Sequence, residues 1–239
     1  MKLVFLFGVL GASCVLLAEE TKQKVQVATT EHMDFAPGGI LRLINSTGEL
    51  TVEGWDQPGL EITTIKSTKE SYDSRDRQKA AVGLDRVNVK VERHGDELVI
   101  TTGFPRHRLF PPPSPFGAAV DFNLEYDIKV PRSARLLIDH NIGEVHVDDI
   151  TGDIQVRARQ GEITLHLPAD RQYAIDAKSE VGSVNPDFPG QDKRKPWLVG
   201  HQFRQSTSTA AQKLQLRTGY GDIIILQMRK PSAPSSGPR

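Results

Sequence analysis

A second cysteine is missing from the sequence: the only one is Cys14, so no disulfide can close within the chain and stability must come from packing. An excess of charge is missing too. The 30 basic and 30 acidic side chains cancel, which removes the electrostatic case for nucleic acid or an anionic membrane as partner, since neither polyanion is drawn to a surface without net positive charge. No apolar run reaches the roughly 20 residues that a bilayer-spanning helix needs. No G-x-S-x-G sequence is present, which leaves a serine nucleophile without its usual context.

The longest apolar run, Leu3 to Leu17, follows Lys2 and ends at small Ala18 before acidic Glu19. That order reads as an export signal over residues 1–18, removed near Ala18 and delivering the chain to the periplasm or the cell exterior. Cys14 then leaves with the signal. The stretch "GASC" also resembles a lipid-acceptor site, but Gly11 stands where leucine is usual and the apolar run continues past the cysteine; ordinary cleavage suits it better than lipoprotein anchoring.

The dominant pattern in the rest is alternation. Gly48 is followed by Leu50 and Val52, Gly143 by Val145 and Val147, Gly152 by Ile154 and Val156, Gly161 by Ile163 and Leu165, and Gly221 by Ile223 and Ile225. Period two between turn glycines predicts strands with one buried face, with Glu144, His146, Asp153, Gln155, Glu162 and Thr164 turned to water. Gly143, Gly152 and Gly161 are nine residues apart, the mark of a repeat architecture. If two nine-residue segments make one flattened coil, residues 18 apart stack, placing Val145 over Ile163 with Ile154 on the facing wall. The fold class expected is all-β: a single-stranded β-solenoid, or β-helix-like repeat domain, with short N-terminal β segments. An antiparallel β-sandwich is the alternative, because short alternating strands between glycine turns describe it equally.

Residues 19–37 read as an N-terminal linker and 38–230 as the domain. Within it, 38–55 predicts two strands around a turn at Asn45 to Gly48, 60–68 a further strand, 67–84 a helix capped by Ser67 or Thr68, 87–103 a hairpin turning at His94 to Asp96, and 120–131 a strand of the main sheet. Residues 104–117 form a proline-rich insertion in which Arg106, His107 and Arg108 stand among Phe104, Phe110 and Phe116. Residues 187–197 read as a basic, solvated loop, and 231–239 as a disordered tail.

The segment "YDIKVPRSARLLIDHNIGEVHVDDITGDIQVRARQGEIT" resembles the bacterial putative adhesin family of DUF4097-like exported β-solenoid domains, in which a Y-x-I-x-V-P strand leads into N-G-x-I-x-V and G-x-I repeats. "LRLINSTGELTVEGWD" is similar to that family's opening segment and "TGYGDIIIL" to its last repeat, so the resemblance spans about residues 38–227. Three features depart from the pattern: Ile142 stretches the asparagine–glycine corner, Pro186 interrupts 181–190, and the proline-rich insertion is extra. The resemblance implies an exported or membrane-attached β-solenoid without an established catalytic role.

Candidate chemistry is sparse. Glu144, Asp148, Asp149 and Asp153 are the one local set of acids that could divide acid and base roles on a glycan; acids beside turn glycines more often cap turns and stay hydrated. His140, His146 and His166 lie in or beside the repeats, yet His146 stands three residues after its glycine and His166 five after its own, so they do not share a column for zinc. The single glycine per repeat does not match the G-G-x-G-x-D calcium pattern. No catalytic or metal site and no cofactor is expected, and the binding residues are left open. The function expected is an exported, non-catalytic, adhesin-like binding or scaffold domain of the cell envelope. Its partner would be a glycan or an envelope protein, and its open rungs invite self-association. An envelope sensory domain acting through a membrane partner is the alternative, followed by a carbohydrate-active enzyme.

Overall fold

The computed structural model describes residues 22–85, 87–103, 122–194, 200–206 and 212–228. The signal segment 1–18 with Cys14, the proline-rich insertion 104–117 and the tail 231–239 lie outside the described residues. Among those described, the chain runs through β1 (Gln23–Met33), β2 (Ile40–Ser46), β3 (Glu49–Trp55), β4 (Leu60–Tyr72), the helix α1 (Arg77–Asp85), β5 (Asn88–His94), β6 (Glu97–Gly103) and β7 (Phe122–Pro131). It continues through β8 (Arg135–Ile142), β9 (Val145–Asp148), β10 (Ile154–Gln160), β11 (Ile163–Pro168), β12 (Tyr173–Val181) and β13 (Val184–Pro186). The last strands are β14 (Gln191–Arg194), β15 (His201–Gln205), β16 (Gln212–Tyr220) and β17 (Ile223–Met228).

These strands make two facing sheets of eight and nine; from β7 to β13 consecutive strands alternate between them, so pairs such as β8–β9 or β10–β11 are each one flattened coil, whereas β3 and β4, β5 and β6, and β14 to β16 stay within one sheet. Neighbouring coils pair in parallel: β10 lies between β8 and β16, and β11 between β9 and β17. That settles the architecture as a β-solenoid rather than an antiparallel sandwich. Val145 stacks on Ile163 in one sheet, and Ile154 sits in the other, 1 % exposed, in register with Leu136 and Leu214. The interior is therefore built of aliphatic columns. One runs Leu41, Leu136, Ile154, Leu214, Ile175 across five coils and a second runs Leu50, Val145, Ile163, Ile223, Val184 opposite it, all buried. Each such side chain contributes about 1.5–3 kcal/mol when removed from water.

The corner glycines form a ladder. Gly48, Gly143, Gly161, Gly221 and Gly182 follow one another in successive coils, and a Cβ at any one would fall on a backbone oxygen of the neighbouring coil, 1.7 Å away at Gly161. Gly161 has φ +128°, which an L side chain rarely adopts. Gly152, although in phase with Gly143 and Gly161, stands at the opposite corner and is needed there because Ala134 O would be 2.1 Å from its Cβ.

Several expectations need correction. The coils do not stack in chain order: β6–β7 lies outside β2–β3 at one end, and β16–β17 is inserted between β10–β11 and β12–β13 at the other. Residues 23–33, inside the stretch read as a linker, form β1, held by antiparallel pairing to β4. The helix expected over 67–84 is confined to α1, because residues up to Tyr72 are kept extended by β1, and up to Thr68 by β7 on the other side. Asp73, not Ser67 or Thr68, caps it: its Oδ1 accepts the N–H of Arg75 and Asp76 at 3.2 and 3.1 Å. Within the basic loop, residues 191–194 form β14 against β15. The hairpin at Gly95 and the strand at 122–131 stand as read.

Candidate functional site

The position just after the ladder glycine carries an outward acid in four successive coils, Glu49, Glu144, Glu162 and Asp222, and Ser183 in the fifth. Strands are about 4.8 Å apart, so these carboxylates form a column along the edge of the eight-stranded sheet. Each is tied to a side chain of its own or an adjoining coil, apart from Glu49. Glu144 Oε2 lies 3.3 Å from His146 Nε2, Glu162 Oε1 accepts the Thr164 hydroxyl at 2.9 Å, and Asp222 Oδ1 accepts both the Ser183 N–H at 2.7 Å and its hydroxyl at 2.8 Å.

The four acids singled out in the sequence are brought to different places. Glu144 stands just before β9 and Asp148 is its last residue, about 13 Å apart at the rise of a strand, beyond the separation of a glycosidase pair. Asp148 is bound to His166, which is in register with it. Asp149 lies at the opposite corner in a left-handed conformation, φ 57°, paired with Arg132. Arg132 also holds Asp56 at 2.7 Å, and the hydrogen bond and charge of that guanidinium keep the Asp56 carboxyl below the usual range. Asp153 accepts the Lys213 N–H at 2.9 Å.

The histidines stay apart as well. His146 is in register with Thr164, not with His166. His140 is buried at 3 % exposure with Ser46 Oγ 2.9 Å from its Nδ1. Burial pushes its pKa down to about 4, with the carbonyls of Gly48 and Ile142 opposing that shift. Among the described residues, no three His, Cys, Asp or Glu side chains converge as metal ligands, and no helix is long and apolar enough to cross a membrane.

On the nine-stranded sheet the outward rows are polar and mixed in charge. Asp176 receives Arg217 Nη2 at 2.6 Å and Arg204 Nε at 3.4 Å, while Arg157 and Arg159 stand exposed on β10. Sequence reasoning missed one concave feature, a groove beside Trp55. The signal for it was the "GWDQPG" turn at 54–59, where an aromatic side chain is fixed beside a glycine.

A family model described as Toastrack DUF4097 matches residues 61–226. A putative cell adhesion protein from Clostridium sporogenes has a similar fold, with a TM-score of 0.50 at 16 % identity over 84 % of this chain and 100 % of that one. A putative adhesin from Parabacteroides merdae aligns with a TM-score of 0.26 at 10 % identity, over 84 % of this chain and 78 % of its own. Among curated proteins none matches. With a match across most of its length, the chain belongs to the Toastrack DUF4097 family.

Proposed function

We propose that this chain is an exported, non-catalytic, adhesin-like binding or scaffold domain of the bacterial cell envelope, whose partner is a glycan or an envelope protein. One observation carries the reading. The acids and histidines that chemistry would require are dispersed into separate pairs along the outside of a rigid coil stack: Glu144 with His146, Asp148 with His166, Asp149 with Arg132. A stack of this kind offers extended contact area with little to reorganise on binding. The name of the Clostridium sporogenes neighbour is consistent with this role.

The test is binding measured together with turnover. Full-length chain, fluorescently labelled, is incubated with intact bacterial envelopes and the supernatant is assayed for released sugar. Saturable retention without product is expected. Soluble fragments accumulating in proportion to the chain, or retention no greater than that of heat-unfolded chain, would overturn the proposal.

A further inference from the structure

A groove opens where the segment following β1 meets the turn between β3 and β4, with β5 along one wall. Its floor is apolar: Trp55, half-buried, with Phe35 and Leu60, which are 5 % and 1 % exposed. Its rim carries Asp34, Gln57 and Arg93, all exposed.

The floor is held in place before anything binds. Trp55 Nε1–H donates to Gly59 O at 3.2 Å, and the Gly59 N–H donates to Phe35 O at 3.3 Å. Gly59 has φ +92°, and a Cβ there would meet Met33 O at 3.0 Å, so the turn and the segment behind β1 are fitted to each other. The Arg93 guanidinium donates to the Asp34 carbonyl, which fixes the cation at the rim beside an acidic residue of the segment following β1.

The chemistry of this arrangement limits the occupant. One guanidinium and one carboxylate cancel, so neither a polyanion nor a polycation gains from the rim. Backbone groups are already used: Trp55 O accepts the Arg132 N–H at 3.2 Å and Gly59 N–H is given to Phe35, which leaves little for an added peptide strand. What remains is an aromatic plate edged by side-chain donors and acceptors, the composition of a small-ligand site. An uncharged ligand with one apolar face and polar groups around its edge satisfies all of it.

We propose that this groove binds a neutral hexopyranose unit of a surface glycan, its C–H face on the Trp55 indole and its hydroxyls on Asp34, Gln57 and Arg93. The assignment rests on the binding role proposed above and names the ligand class and the place where it is held.

Saturation-transfer NMR on the full chain tests it, with galactose, N-acetylglucosamine and cellotriose as neutral probes and galacturonic acid as the charged one, each at about 10 mM because single-unit contacts of this size fall in the millimolar range. Transfer to ring protons of at least one neutral probe is expected, and its dependence on probe concentration should give an affinity about tenfold weaker in Trp55→Ala, a difference of about 1.4 kcal/mol. Ala36→Arg is the second variant. Ala36 is exposed on the groove wall and its carbonyl accepts the Gly39 N–H at 3.0 Å, so a long side chain there blocks the groove and leaves that bond and the floor in place. No transfer to any neutral probe, transfer to galacturonic acid alone, or transfer undiminished in Ala36→Arg overturns the assignment. If the labelled chain is still retained on envelopes in that event, the groove alone is wrong; if retention is also absent, the binding role falls with it.

Discussion

At the scale of single residues the glycine ladder sets the tightest constraint. Gly161→Ala would hold an L side chain at φ +128° and press its Cβ onto Gly143 O, 1.7 Å away. Strain at such a backbone costs about 1–3 kcal/mol, and the overlap adds to it, because the two coils cannot separate without breaking the Gly143 N–H to Gln160 O bond of 3.0 Å. Gly83 is the contrast: it lies exposed in α1, and a methyl group added there would meet nothing within 4 Å. Gly83→Ala should stabilise by about 0.5–1 kcal/mol through helix propensity and loss of unfolded-state freedom. In thermal melts, Gly161→Ala is expected to fall by at least about 6 °C while Gly83→Ala stays level or rises; equal melting temperatures would remove the ladder as a constraint.

His140 provides the titration at this scale. Its folded pKa, about 4, lies below the ordinary 6.5, so the unfolded chain takes up a proton before the folded one does. Its contribution is fully present above pH 6.5 and is lost as pH falls from there towards 4, by about 3 kcal/mol at the low end. His140→Gln keeps a hydrogen-bonding partner for Ser46 and removes the titration. Urea midpoints at pH 7.5 and 4.5 should therefore drop less for His140→Gln than for the parent; an identical drop in both would place the histidine in contact with water.

At the scale of elements, what could be read from the sequence was whatever depends on local alternation. The strands at 145–148, 154–160 and 163–168 alternate apolar with polar side chains, and the burial of Val145, Val147, Ile154, Val156, Ile163 and Leu165 and the stacking of Val145 on Ile163 follow from it. Thr164, expected to face water, is instead buried with its hydroxyl on Glu162, and in 223–228 Ile224 and Leu226 break the alternation while staying half-buried. β1 was not legible, because its 11 residues are mostly exposed on both faces and carry no apolar stripe. It is a strand through backbone pairing to β4 alone, and pairing leaves no composition signal. The shorter helix has the same origin. Ser67 to Tyr72 are polar and look like the start of a helix, yet partner strands fix them extended, and tertiary pairing outweighs a local preference of a few tenths of a kcal/mol per residue. His146 and His166 were separated by counting from their glycines, and their register agrees; the four acids, which the sequence grouped as one local set, are parted only in the folded chain, where Asp148 meets His166, Asp149 meets Arg132 and Asp153 meets Lys213. The Trp55 groove was not found that way, since its walls come from 32–36, 55–60 and Arg93, which only the folded chain brings together.

For the whole molecule the order of the coils is the feature that no periodicity reveals. In a solenoid wound in sequence, removing the last coil shortens the rod and leaves the rest paired. Here the coil β16–β17 is a wedge: among the described residues β13 has β17 as its only sheet neighbour, and β12 reaches β10 only through β16. The hairpin β14–β15 hangs on β12 in turn. A chain ending at residue 206 should therefore lose order across β12–β15 as well as the deleted strands, exposing Tyr173, Ile175 and Ala177, which are now at most 2 % exposed. Hydrogen exchange reads this directly. Amides of β12 are expected to lose at least about 100-fold of their protection in the shortened chain, while those of β2 and β8, at the far side of the stack, keep theirs because their parallel partners are intact. Protection of β12 retained after the deletion would mean that the β12–β13 coil stands without its wedge, and that the two C-terminal coils could have been wound in either order.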